Sequence, residues 1–122
     1  MKALGGSRIL NVASLAAQSA SGDSPAYATS KHAVAGLTKS AAHAFAKYNI
    51  LVNYILPGTI NTPMMSGVTS AHPEAIQQIC AMIPLNRMGT PKDVASLVLY
   101  LVSEDNTYVT GSGIVIDGGM TA

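Results

Sequence analysis

Cysteine is nearly absent: Cys80 is the only one in 122 residues. A single thiol cannot build an internal disulfide framework or a cysteine-based metal cluster, which suits a reducing compartment, and the expected location is the cytoplasm. Charge is scarce as well. Only 11% of residues are Asp, Glu, Lys or Arg and the formal charge is +1, so there is no basic stripe to neutralise phosphates and no acidic block to solvate a disordered tail. Nucleic acid is thereby disfavoured as a partner. Long apolar runs are missing too: none approaches the length of a membrane span, and the apolar start is broken by Ser7 and Arg8, unlike a secretory signal. No internal repeat or low-complexity tract is present.

What is present is apolar and regularly punctuated. A hydrophobic content of 48% in 122 residues supplies one small core, so a single domain over residues 1–122 is expected. Residues 8–12 (R-I-L-N-V) are β-branched and followed by small residues, the pattern of a buried parallel strand ending near Ala13 and Ser14. Residues 16–25, rich in Ser, Ala and Gly, read as a mobile loop. Residues 27–48 avoid proline and repeat small or apolar side chains at helical spacing (Val34, Leu37, Ala41, Phe45), which predicts one long helix capped near Asn49. A second buried strand follows over residues 50–56 (I-L-V-N-Y-I-L), closed by Pro57 and Gly58. Strand, helix and strand in that order make a right-handed crossover.

Residues 61–73, with Pro63, Gly67 and Pro73, read as irregular, and residues 73–82 as a short helix with Glu74 in its first turn, together a candidate lid. Thr90 is placed to cap a further helix, with Pro91 at the first helical position and Asp93 near it, running to about Ser103 with Val94, Leu97, Val98 and Leu101 towards the sheet. A third strand is expected over residues 113–117 (G-I-V-I-D), before Gly118 and Gly119. The fold class is therefore α/β, three strands with flanking helices.

Chemistry concentrates at one place. Tyr27 and Lys31 lie four residues apart and share a helix face, and the end of the first strand brings Ser14 towards them. A phenol titrates near pH 10, so proton exchange at neutral pH needs a neighbouring positive charge that favours phenolate, and Lys31 supplies one. A hydroxyl such as Ser14 can hold a carbonyl or carbinol oxygen while Tyr27 exchanges its proton. Taken alone, a Tyr four residues before a Lys is equally what a solvated helix face carries. His32, His43 and His72 have no metal-ligand spacing and read as surface residues, so no metal is expected. Cys80 reads as a small buried apolar group. Met64, Met65, Met82 and Met88 suit either core filling or an adaptable apolar wall for a substrate.

Context makes the pair specific. I-L-N-V-A-S (residues 9–14) resembles the catalytic-serine strand of the short-chain dehydrogenase/reductase family, and Y-A-T-S-K-H-A-V (residues 27–34) its Y-x-A-S-K-x-A signature, with Thr29 in place of the usual alanine. V-N-Y-I-L-P-G-T-I-N-T-P (residues 52–63) is similar to the family's segment beside the nicotinamide, R-M-G-T-P-K-D-V-A (residues 87–95) to its later helix start, and T-G-S-G-I-V-I-D-G-G (residues 110–119) to its final strand.

The resemblance implies a partial Rossmann-like, doubly wound parallel sheet and NAD(P)-dependent interconversion of an alcohol and a carbonyl in a small molecule. It implies that Ser14 orients the substrate oxygen, Tyr27 is the general acid/base, and Lys31 holds the nicotinamide ribose hydroxyls while favouring the phenolate. Pro57, Gly58, Ile60 and Thr62 match positions lining the nicotinamide, the last two through backbone and hydroxyl contacts to its carboxamide. The family's Gly-rich pyrophosphate turn, its NAD/NADP-selecting residue and its catalytic Asn have no counterpart, as though the chain starts just before the family's fifth strand. The expectation is thus a catalytic and substrate-binding half, using NAD or NADP and inactive by itself. Its uncovered strand edge favours a homo-oligomer. A dimerisation module built on the long helix, and a ketoacyl-carrier-protein reductase, are the alternatives.

Overall fold

A computed structural model describes residues 1–19, 24–65 and 73–122. His72, Gly67, the greater part of the candidate lid's irregular segment and the middle of the 16–25 loop lie outside these residues. Three parallel strands, β1 (Ser7–Val12), β2 (Ile50–Pro57) and β3 (Gly113–Ile116), form one sheet in the order β1-β2-β3. Val12 pairs with Ile55, and Pro57 with Ile116. Against the sheet lie α1 (Pro25–Phe45) and α3 (Pro91–Val102), with α2 (Pro73–Ala81) between β2 and α3 in the chain.

The central strand explains the sequence pattern. Residues 50–56 of β2 are all buried, which is why they run apolar almost without a break: a parallel strand covered on both faces has no solvent side to pay with polar residues. Small residues on α1 let it approach closely. Ala35 packs with Ala13, Ala17, Tyr54 and Leu56, and Ala42 with Ile50 and Val52. Complete burial of Ile55 and Leu56 stabilises the fold by about 1.5–3 kcal/mol each.

The polar residues inside the fold fix the order of its parts. Asn53 donates to the Val109 carbonyl at 2.7 Å and accepts from the Ser112 N–H at 3.1 Å. Asn106 donates to the carbonyls of Leu101 at 3.0 Å and Val109 at 3.2 Å, and accepts from the Val109 N–H at 3.0 Å. Thr38 receives Asn11 Nδ2 at 2.9 Å and donates to the Val34 carbonyl. These bonds tie the connection before β3 to the middle of β2, so β3 arrives in register; among the described residues no buried side-chain polar atom lacks a partner.

Several expectations need correction. The long helix begins at Pro25, since proline is compatible with a first helical turn, and ends at Phe45, its last residues tightening into a 3-10 turn, Ala46–Tyr48, that stops at Asn49 with φ 54°. The expected 16–25 loop opens instead as a 3-10 turn, Leu15–Ala17, with Ala17 buried against α1. Met64 is 88% and Met82 57% exposed, so neither fills the core; Met65, Met88 and Cys80 are half-buried. Among the described residues no helix is long and apolar enough to cross a membrane.

Candidate active site

Parallel strands end together, and the residues just past those ends carry the candidate site. The β1–β2 ladder extends one step beyond β1 through Ala13 N–H to the Ile55 carbonyl at 2.9 Å. Ser14 follows in extended conformation and starts the Leu15–Ala17 turn, its Oγ accepting the Ala16 N–H at 3.2 Å. That bond fixes the hydroxyl oxygen at the strand end, while the hydroxyl hydrogen has no acceptor among the described residues. Tyr27 lies in the first turn of α1 with 47% of its surface exposed, and no described residue bonds its hydroxyl. One turn later, Lys31 Nζ donates to the carbonyl of Val12, the last residue of β1, at 3.1 Å and stands 5.5 Å from the centre of the Tyr27 ring. Lys31 thus joins the strand end to the Tyr27 ring, and among the described residues two of its three N–H donors remain unspent.

Pro57 and Gly58 continue the neighbouring strand past its end. Gly58 donates to the Ile116 carbonyl at 3.0 Å. A Cβ at this position would lie 2.7 Å from Asp117 Cβ and 2.9 Å from its Cα, so the passage of β2 beside β3 admits only glycine here without backbone movement. Beyond it, Ile60 forms a parallel bridge with Gly89: Gly89 N–H donates to the Thr59 carbonyl at 3.0 Å, and Asn61 N–H to the Gly89 carbonyl at 2.8 Å. Thr62 then accepts the Met65 N–H at 2.8 Å through its carbonyl and opens a short helical turn. Thr59, Ile60, Gly89, Arg87 and Asp117 line a cavity of about 230 Å³.

Two carboxylates brace this second group. Asp93 accepts Arg87 Nη1 at 2.9 Å, and closes a capping box with Thr90, whose N–H donates to it at 2.7 Å. The Arg87 hydrogen bond, with those from Thr90, holds the Asp93 carboxyl well below the usual carboxylate range, and Asp93 in turn raises Arg87. Burial pushes the Asp117 carboxyl up, but the Thr121 hydroxyl and the N–H groups of Gly119, Thr121 and Met120 outweigh it and leave the carboxyl lowered. The bridge of Gly89 to Ile60 and the Arg87 contact escaped the sequence reading. The T-P-K-D spacing of Thr90 and Asp93 signals the cap alone, since N-cap and N3 residues pair in this way.

Ser14, Tyr27 and Lys31 therefore gather at the end of β1, and Pro57 and Gly58 at the adjoining strand end, whereas Ile60 lies in the cavity on the β3 side and Thr62 just beyond. His32 Nδ1 lies 2.9 Å from the Ala28 carbonyl and His43 is exposed on α1; among the described residues no group of three His, Cys, Asp or Glu side chains could hold a metal ion.

A family model described as enoyl-(acyl carrier protein) reductase matches residues 1–121. The chain is 44% identical over 113 residues to the short-chain dehydrogenase anuF of Penicillium roqueforti, covering 93% of this chain and 41% of that protein. The solved structure of ElxO with NADP bound superposes with a TM-score of 0.92 at 35% identity, covering 98% of this chain and 48% of the other. A 4-hydroxyisoleucine dehydrogenase mutant complexed with NADH and succinate gives a TM-score of 0.87 at 39% identity, covering 95% of this chain and 47% of the other. The chain spans less than half the length of each of these proteins.

Proposed function

The chain belongs to the short-chain dehydrogenase/reductase family, and from that premise we propose that it carries the proton-transfer and nicotinamide end of an NAD(P)-dependent oxidoreductase acting on an alcohol/carbonyl pair. The observation that carries this reading is the placement of Lys31 Nζ, 3.1 Å from the Val12 carbonyl and 5.5 Å from the Tyr27 ring. A cation bonded at a strand end beside an exposed phenol that no described residue bonds suits proton exchange.

The residues fit a nicotinamide nucleotide. Ligands of open parallel sheets bind outside the carboxyl ends of the strands, where Lys31, Pro57 and Gly58 stand. Lys31 keeps N–H donors for ribose hydroxyls, and no described residue bonds the N–H or C=O of Ile60, which leaves both available to an amide such as the carboxamide. Thr62, half-buried just beyond, offers its hydroxyl to the same group. When bound, the nicotinamide ring supplies or accepts the hydride. Tyr27 Oη gives a proton to the carbonyl oxygen on reduction and takes it from the alcohol on oxidation. Ser14 Oγ, fixed by the Ala16 N–H, directs its free hydrogen at the same oxygen and so orients it. Lys31 holds the ribose and places its charge by the phenol. The relatives' titles name both NADP and NADH, and the proposal extends to either. Self-association belongs to the same reading, because β1 has no neighbour on its outer edge among the described residues and Val12 is 56% exposed.

The test is Tyr27→Phe in the chain joined to the Gly-rich half of a relative, assayed with NAD and NADP on simple alcohols. Turnover is expected to fall by about 10²–10⁴-fold while cofactor binding stays nearly intact, because only the transferable proton is lost. Activity retained within about tenfold removes Tyr27 from the mechanism.

A further inference from the structure

We infer that Asp93 is a positioning residue for the nicotinamide end of the site, acting through Thr90 and Gly89 on the backbone of residues 59–61; this rests on the function proposed above. An ordinary capping box needs one carboxylate oxygen to accept the N-cap N–H. Asp93 does more. Its Oδ2 receives three donors, Thr90 N–H at 2.7 Å, Thr90 Oγ1 at 2.8 Å and Arg87 Nη1 at 2.9 Å, and Oδ1 receives Arg87 Nη2 at 3.4 Å. Arg87 Nη1 also donates to the Met88 carbonyl at 3.1 Å. Residues 87–90 are thereby closed into a ring on one carboxylate.

Within that ring Gly89 spends nothing on the carboxylate. Both of its backbone groups bond directly to the facing segment instead, to the Thr59 carbonyl and the Asn61 N–H. In a parallel bridge of this kind the residue between the two bonded neighbours turns its own N–H and C=O to the opposite side. That residue is Ile60, whose two groups have no partner among the described residues. A Cβ on Gly89 would stand 2.6 Å from Ile60 Cδ1, so the contact is close as well as bonded. The ring on Asp93 fixes Gly89, Gly89 fixes Thr59 and Asn61, and the free amide of Ile60 is aimed as a consequence.

The experiment follows amide hydrogen exchange by NMR in the 122-residue chain, with nicotinamide mononucleotide as the probe. Asp93→Ala is expected to speed exchange at Gly89 and Asn61 about tenfold relative to Val52 and Ile55, and to abolish the probe-induced shift of the Ile60 amide. Asp93→Asn should restore part of both, because its amide oxygen still accepts from Thr90. Val98→Ala, which loosens the same helix without touching the carboxylate, should leave the Gly89 and Asn61 ratios unchanged. Faster exchange confined to the first turn of α3 in Asp93→Ala, or the same rise at Gly89 and Asn61 in Val98→Ala, overturns the inference. An Ile60 shift that survives Asp93→Ala overturns the role of Asp93 alone, whereas a wild-type Ile60 amide that ignores the probe overturns the nicotinamide reading and the positioning role together.

Discussion

Two regions at the same end of the sheet differ in how much of their bonding capacity the chain uses for itself. At the end of β1, no described residue bonds the Tyr27 hydroxyl or takes the Ser14 hydrogen, and Lys31 spends one donor on the Val12 carbonyl. At the ends of β2 and β3, the carboxylates and glycines are consumed: Asp93 takes four bonds from Arg87 and Thr90, Asp117 takes three from Gly119 and Thr121, and Gly58 and Gly89 sit where a methyl group would collide. The contrast separates groups that act from groups that hold. A side chain that must exchange a proton or grip a ligand needs unspent capacity, whereas one that fixes backbone has already used it.

Lys31 is the sharpest place to break that contrast, because its one bond could be read as structural. In the chain joined to a relative's Gly-rich half, Lys31→Met is expected to weaken nicotinamide cofactor binding by about 10–100-fold, the loss of charge-assisted bonds to ribose hydroxyls. Calorimetric titration checks the affinity. A drop in melting temperature with affinity unchanged would move Lys31 to the holding class.

The consumed region is tested by its glycines. Gly58→Ala places a methyl group against Asp117 backbone and side chain, neither of which can rotate away, and is expected to destabilise by about 1–3 kcal/mol. Gly36→Ala, at an exposed α1 position where a Cβ meets nothing within 4 Å, should stabilise by about 0.5–1 kcal/mol through helix propensity. Thermal or denaturant unfolding of both variants measures the difference. Equal effects would mean that the strand ends yield more easily than their packing indicates.

The two regions also differed in how legible they were. The strands, the long helix and the shared helix face of Tyr27 and Lys31 could be read from the sequence because each rests on local signals: β-branched runs, helical spacing and a four-residue interval. Thr90 and Pro91 announced the start of α3 for the same reason. The grip of Gly89 on Thr59 and Asn61 could not be read so, because it joins segments some thirty residues apart, and backbone bonds leave no side-chain trace in a sequence. The buried amides of Asn53 and Asn106 were silent likewise: their partners are backbone groups around Val109, and neither an Asn in the apolar run of β2 nor one in the polar S-E-D-N-T stretch names its acceptor. Of the two readings open for the methionines, core filling fails for Met64 and Met82, which are exposed.

Acid separates the regions most gently. Asp93 and Asp117 both have carboxyls held below the ordinary value of 3.8, Asp93 by Arg87 and Thr90, Asp117 by Thr121 and neighbouring N–H groups against the opposing push of burial. A carboxyl whose folded value is depressed contributes stability that is fully present above the unfolded value and lost as pH falls through the folded one. The holding region should therefore loosen only below about pH 4, and it should do so locally, because Ser14, Tyr27 and Lys31 contain no carboxylate to protonate. The effect is expected to be small, since Arg87 and Asp93 are exposed and their attraction is screened by water and salt. In an NMR titration from neutral pH to about 2, the amides of Thr90, Gly119 and Thr121 should move with midpoints below the ordinary carboxylate value while those of β1 stay in place. Raising the ionic strength should bring the Thr90 midpoint closer to that value and change the Asp117 group less, whose donors are neutral. Midpoints above it would mean that desolvation outweighs the hydrogen bonds, and that these carboxylates strain the strand ends instead of holding them.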